Sequence, residues 1–559
     1  MKFNRFIIIL PVLLGLVSCT KTKSHSKRTS SSNTGSSSTS LTTSSSSSTS
    51  LTTSSSSSTG GIAKYNFEFW TGFGKDYTYQ AQDVVNKFND KHSGDVYIKH
   101  ISKGDYDGLH TAIKNNIGGE TYPNLAIGYP DHFAAYWNNS ILMSLDDYIN
   151  RYDQENGLKA QNKSISDDYY ENYMKENTGI AYDDDGTPFT VGLPFNKSTE
   201  MMICNGWYFD YFKSIDNSIV VPTTWDDLRT VSTKIITIVN SQNLLADSSR
   251  YIIGVVDPNT NKASNFRVSS FYDPTGSERV IQDITALSNE NKFYTLGYDS
   301  AENAFITILK QWGIHYTEYT KADYERDMFG KAKFWSSANQ AATTAAMEYF
   351  KTLNSEHAFG VPNTFKQGEL FCTDFIEKGR CLFTISSSAG LLKPEICNGE
   401  GRLDVFPILY KDASHKAVIS QGTSLGMLNK FKSQEEIDDD GYKAFCSMVE
   451  LTTGELNATF AASTGYFPTS QSGMNHSVYK NPILDNPSTK VEKIYSNAGH
   501  ININTYDAGG WEKFVDPGFV GSSSIRNAVY SALNNVFTIS SISEAMNLVW
   551  NNIPDKLRG

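Results

Sequence analysis

The chain has 559 residues, and its 49 Lys+Arg against 60 Asp+Glu give a formal net charge of -11. That acidic balance disfavours non-specific nucleic-acid binding, which depends on clustered basic charge. The six cysteines, Cys19, Cys204, Cys372, Cys381, Cys397 and Cys446, show no C-x-x-C spacing of a metal or redox motif.

The chain opens as an export signal. Lys2 and Arg5 supply the positive start, and Phe6 to Val17 form an apolar run too short for an ordinary membrane-spanning helix. The run closes on Leu16-Val17-Ser18-Cys19, the pattern after which a lipoprotein signal is cut and the new N-terminal Cys lipidated. Two acyl chains on Cys19 suffice for stable anchoring outside the cell. From Thr20 to about Gly61 the chain is dominated by Ser and Thr, with one decamer repeated as Ser40–Thr49 and Ser50–Thr59. Such a stretch cannot bury enough apolar area to offset its ordering entropy, so residues 19–61 read as a tether with a reach of roughly 35 Å.

Beyond the tether the composition is globular, with 31 Tyr and 31 Phe in the whole chain to feed a large core. About 500 residues exceed one simple core, so two lobes are expected. Tyr65–Trp70 reads as a strand, followed by Tyr77, Ala81, Val84, Val85 and Phe88 at helical spacing. Val96–Ile101 reads as a second strand. Asp105 is placed to cap the next helix, which carries Tyr106, Leu109 and Ile113 on one face and ends at Gly118. Leu125–Tyr129 reads as a third strand. This alternation calls for a mostly parallel sheet covered by helices, whose ligands sit at the carboxyl ends of strands. The loops after Trp70, Ile101 and Tyr129 are therefore the first places to look. Thr224 can cap a helix over Trp225–Val239, and Tyr442, Phe445, Cys446 and Val449 line another that stops near Gly454. Ser522–Ser524 precede a helix with Ile525, Val529, Ala532 and Val536 on one face, which puts Arg526 in its first turn. Free N–H groups and a guanidinium there suit a phosphate or carboxylate, with a surface arginine as the competing reading. Ser541 and Glu544 form a capping-box pair before Ala545–Trp550.

Seven short motifs then occur in order: Phe69-Trp70-Thr71-Gly72, Lys103-Gly104-Asp105-Tyr106, Pro194-Phe195-Asn196-Lys197-Ser198-Thr199, Pro222-Thr223-Thr224-Trp225, Thr384-Ile385-Ser386-Ser387-Ser388-Ala389-Gly390, Gly422-Thr423-Ser424-Leu425-Gly426 and Thr464-Gly465-Tyr466-Phe467-Pro468. In this order the chain resembles the extracellular solute-binding proteins of ABC importers for sugars and glycerol phosphates, and among them most the glycerol-3-phosphate binders. The resemblance implies a two-lobe α/β periplasmic-binding-protein-like fold (type II) with a ligand cleft and a hinge crossed several times. It places one lobe at 62–182 and 402–453 and the other at 183–401 and 454–559. It further implies a monomer that captures a small polar solute, needs no cofactor or metal, does no chemistry, and delivers to membrane permease subunits.

Carried over by motif, the ligand-binding positions are Ser198, Ser387 or Ser388, Gly422, Tyr466 and Arg526. Where glycerol-phosphate binders have Tyr-Glu, this chain has Tyr129-Pro130-Asp131, which shortens and displaces the carboxylate. Asp131 therefore either substitutes or meets a different hydroxyl end, and the solute stands open between a glycerol-3-phosphate-like molecule and a sugar. Trp70 and Tyr129, at strand ends, offer aromatic faces for a sugar's C–H side, against a core role. Lys103 and Lys197 read as solvated lysines that an anion would recruit. The rival functions are a surface-anchored hydrolase, because Gly422–Gly426 also fits G-x-S-x-G around Ser424, and an adhesin on the same scaffold. Asp183–Asp185 and Asp438–Asp440 lack calcium-loop spacing and read as turns.

Overall fold

The computed structural model describes residues 63–559 except position 76, most of 242–292, 378–379 and 393–401. The export signal, Cys19, the tether and Cys397 thus lie outside the described residues. The alternation expected at the start is present: β1 (Tyr65–Thr71), α1 (Thr78–Lys91), β2 (Val96–Ser102), α2 (Tyr106–Asn116), β3 (Leu125–Gly128) and α3 (Pro130–Asn138). Helix α1 buries Ala81, Val84, Val85 and Phe88, one stripe at helical spacing. The Asp105 carboxylate accepts the Gly108 N–H at 2.7 Å, capping α2. Helix α3 starts directly after β3 because Pro130, at its first position, has no N–H to leave unpaired.

The second half adds β4 (Leu193–Asn205), α4 (Trp225–Ser241), β5 (Tyr294–Tyr298), α5 (Ala301–Gln311), β6 (Phe359–Gly360), β7 (Cys381–Ser387), β8 (Leu403–Phe406) and β9 (Ala417–Met427). After these come α6 (Tyr442–Thr452), α7 (Gly454–Thr464), β10 (Glu512–Phe514), α8 (Ser522–Val529), α9 (Ala532–Thr538) and α10 (Ile542–Asn552). The expected caps are in place, with Thr224 Oγ1 accepting the Asp227 N–H at 3.0 Å and Ser541 Oγ accepting the Glu544 N–H at 3.3 Å. Asp183–Asp185 form a turn closed by the Gly186 N–H on the Asp183 carbonyl.

Among the described residues, ten strands form one mixed sheet in the order β6-β5-β7-β4-β9-β3-β1-β2, with β8 also on β4 and β10 on β9. Strands β2, β1 and β3 run parallel, as do β6, β5 and β7. The two parallel sets are joined through β4 and β9, which pair antiparallel with each other, β4 also with β7 and β9 also with β3.

Two large hydrophobic cores sit along this sheet. One holds Phe69, Val85, Leu125, Leu193, Phe195, Leu425 and Phe445; the other holds Met201, Leu228, Leu296, Phe305, Ile385, Ile419 and Val529. Strands β4 and β9 each serve both. Where they pass between cores their side chains turn polar: Asn196 to Glu200 on β4 and Ser420, Thr423 and Ser424 on β9 are all buried. Buried polar groups need partners, and these find them across the two strands. Thr199 Oγ1 donates to the Ile419 carbonyl at 2.9 Å, and Thr423 donates to the Asn196 side chain. Lys197 is not solvated as its polar setting suggested. It is wholly buried, ion-paired with Glu176, and donates to the Gly422 carbonyl at 3.1 Å. Ser420 Oγ donates to the other Glu176 oxygen at 2.8 Å.

Candidate functional site

Between the two cores lies a cavity of about 550 Å³, a volume suited to a small ligand. Its first wall comes from the ends of the opening strands. Tyr77 follows β1, Asp107 follows β2, and Tyr129, Pro130, Asp131 and His132 follow β3. Its second wall comes from Asp299 to Asn303 after β5, Ser386 and Ser387 at the end of β7, Tyr316, Thr317, Asp516, and Ser522, Ser523 and Arg526 of α8. The floor is the polar crossing, with Glu176, Ser198, Glu200 and Ser420 to Gly422.

Of the positions singled out in the sequence, Tyr129, Asp131, Ser198, Ser387, Gly422, Tyr466 and Arg526 all line this one cavity. Ser387 Oγ donates to Ser198 Oγ at 3.1 Å, and it also accepts the Ala389 N–H. Tyr466 packs edge-on against Tyr77 with ring centroids 5.6 Å apart, and its hydroxyl meets that of Tyr106 at 3.3 Å. Tyr106 in turn packs edge-on against Tyr129 at 5.1 Å. Gly422 sits at φ 100, where only glycine is comfortable, and a Cβ there would collide with the Asn196 carbonyl. A register shift between Thr423 and Ser424 bends β9 just beyond it.

Trp70 and Ser388 do not line the cavity. The Trp70 ring belongs to the first core, its Nε1 donating to Glu68 at 3.2 Å while Lys103 Nζ lies 3.5 Å over its face. Ser388 is buried with its Oγ unpaired. Ser424 lies in the middle of β9 rather than on a strand-to-helix turn, so the nucleophile elbow that G-x-S-x-G requires is absent.

Arg526 needs a correction of its surroundings. Helix α8 begins at Ser522 behind Gly521, which takes a φ of 95, so the three serines are inside the helix and not before it. Arg526 is therefore in the second turn and is not among the residues whose N–H groups open the helix. Its guanidinium is also occupied: it donates to Asp516 Oδ2 at 2.9 Å and to the Asn303 side-chain oxygen. Burial pushes the Asp516 carboxyl up, with Arg526 pulling the other way.

Sequence reasoning missed most of the second wall and, apart from Asp131, the cavity's carboxylates. Asp107, Asp131, Glu176, Glu200, Asp299, Glu302 and Asp516 all line the cavity. The rule that ligands gather at strand carboxyl ends would have reached Asp299 and Glu302 through β5. Tyr294–Tyr298 followed by the cap Ser300 was the available signal. Glu200 accepts from the Tyr298 hydroxyl and from Asn303 Nδ2 at 2.9 Å, yet its burial still pushes the carboxyl up to about 7. Asp299 is pushed up to about 6 by the same cause.

The two walls also touch at the rim. Gly518 faces Pro130 so closely that a Cβ on it would lie 2.5 to 2.6 Å from Pro130 atoms.

The sequence profile of the bacterial extracellular solute-binding proteins matches residues 83–484. No curated protein matches the chain at a significant level. Among solved structures, the UgpB protein of Mycobacterium tuberculosis in complex with glycerophosphocholine is similar at a TM-score of 0.57 and 13% identity, covering 87% of this chain and 96% of its own. The GacH receptor of Streptomyces glaucescens, solved unliganded and with acarbose, aligns at a TM-score of 0.55 and 12% identity, over 88% and 98%. An ABC substrate-binding protein of Listeria monocytogenes in complex with cycloalternan aligns at 0.56 and 14%, over 87% and 97%. The fold is the two-lobe α/β fold of these proteins.

Proposed function

This chain belongs to the bacterial extracellular solute-binding proteins, and we propose that it captures a sugar or sugar-like polyol between its two lobes for delivery to the permease of an ABC importer. The lobes follow the two cores. On that reading the chain crosses between them within β4, within β9 and between Tyr466 and Phe467. A hinge of this kind closes on a ligand only if both lobes touch it. The cavity meets that requirement, since its walls are drawn from both.

The observation that carries the sugar reading is the chemistry of the wall. Carboxylates accept the hydroxyls of a polyol, and the Tyr77, Tyr129 and Tyr466 rings offer apolar faces to its C–H side. The glycerol-3-phosphate reading rested on the motif resemblance and, for the anion, on Arg526, which here is engaged by Asp516 and Asn303. An added phosphate would have to displace that carboxylate among several others. Lipidation at Cys19 holds the protein at the outer face of the membrane, and the Ser/Thr segment gives it reach.

Isothermal titration against hexoses, maltose, glycerol 3-phosphate and glycerophosphodiesters tests this. Binding of a sugar and not of the phosphates is expected, with Arg526→Ala weakening it through loss of Asp516 and Asn303 positioning. Tight binding of glycerol 3-phosphate abolished by Arg526→Ala would overturn the sugar reading and restore the anion site.

A further inference from the structure

Three polar atoms on the second wall have no hydrogen-bond partner: Oε2 of Glu302, the hydroxyl of Tyr316 and Oγ1 of Thr317. All three residues line the cavity. Tyr316 is only 8% exposed, and a hydroxyl so buried and unpaired is costly unless something else supplies its hydrogen bond. The phenol stays protonated at neutral pH, because burial, then Asp516, push it far above the usual range. It therefore offers a neutral oxygen beside a carboxylate.

The charges around these atoms are uneven. Arg526 is ion-paired with Asp516, with Glu302 a more distant charge acting on it, and Lys197 is ion-paired with Glu176. Glu302, Asp107 and Asp131 line the same cavity, and among the described residues no lysine or arginine forms an ion pair with any of them. His132, 4.0 Å from Asp131, is the one other basic group on the wall. A phosphate offers this wall only acceptors and negative charge. A neutral hydroxyl offers one donor. A protonated amine offers two or three N–H donors and a positive charge, which matches one unpaired carboxylate oxygen and two hydroxyls that can each turn a lone pair toward it.

We propose that the captured solute carries a protonated amino group, as in an amino sugar or an amine-bearing polyol, seated against Glu302, Tyr316 and Thr317. The inference rests on the sugar reading above and narrows it. It assigns the ammonium to the second lobe, leaving the tyrosines of the first to pack on the ring.

Titration of the full chain with glucosamine and its β-1,4 dimer, beside glucose and cellobiose, tests the inference. Each amine should bind at least about tenfold more tightly than its neutral counterpart. Glu302→Gln keeps the shape and removes the charge; it should bring that ratio close to one, the amine losing far more affinity than the neutral sugar. Tyr316→Phe should weaken the amine about threefold more than the neutral sugar, and serves where the first variant folds poorly by thermal melting. Neutral sugars that bind as tightly as the amines, or a ratio unmoved by either variant, would overturn the ammonium inference and leave the sugar reading standing. Glycerol 3-phosphate binding in place of every sugar would overturn both, as would silence from all the sugars.

Discussion

Single residues at the crossing between the lobes carry constraints that are testable one at a time. Gly422 combines a left-handed φ of 100 with contact between its Cα side and the Asn196 carbonyl. Gly422→Ala should therefore cost about 1–3 kcal/mol, read as a lower urea midpoint at an unchanged slope. Glu200 gives a pH effect of definite sign. Its carboxyl rises from 4.5 to about 7 on folding, so between those values the folded chain keeps a proton that the unfolded chain has released. The stability it contributes is full below about pH 4.5 and is lost as pH rises through about 7. Asp299, raised to about 6, works in the same direction. Glu200→Gln should thus gain on the wild type as pH goes from 5 to 8, by an amount on the order of 1–3 kcal/mol. Denaturant titrations of both proteins at the two pH values check it, and a difference that does not change with pH would contradict the assignment.

At the scale of elements, the helices were legible because apolar spacing and capping are local. Ala81 to Phe88 announce α1, Asp105 announces α2 and Thr224 announces α4, each within a few residues. Helix α8 was misjudged because serines in a row look like caps, whereas Gly521 supplies the left-handed turn that starts it. Strands β4 and β9 carried a subtler message. Their polar runs carry no apolar alternation to mark a strand, and only the pairing of one with the other makes buried Asn, Lys, Thr and Ser tolerable. Lys197 is the plainest case, since its partner Glu176 is 21 residues away and nothing local points to it. Removing one member of a buried ion pair strands the other. Lys197→Met or Glu176→Gln alone should therefore destabilise by about 3–5 kcal/mol, and the double variant by less than the sum. Thermal or chemical unfolding of the four proteins in the cycle measures the coupling; simple additivity would mean that the pair does not act as a unit.

For the molecule as a whole, the division into two cores on one sheet explains why the site was half visible. Most of the lining residues drawn from the first three strand ends and from the seven motifs fall on the first wall and the floor, with Ser387 on the second. The second wall is assembled from β5, α5, α8 and the segment around Asp516, brought together over more than 200 positions, from Asp299 to Asn527. Such a convergence has no local spacing to betray it. Trp70 went the other way: a strand-end tryptophan has the look of a binding surface, but Lys103 already covers its face. At the rim, the approach of Gly518 to Pro130 leaves no room for a side chain at that position. Gly518→Ala should hold the two edges apart by roughly the thickness of a methyl group, without altering any group inside. A solute would then enter as fast as before but escape sooner. Stopped-flow dissociation should show an off-rate raised by about tenfold at an unchanged association rate, which makes the smallest side chain on the rim the setting of the protein's clock.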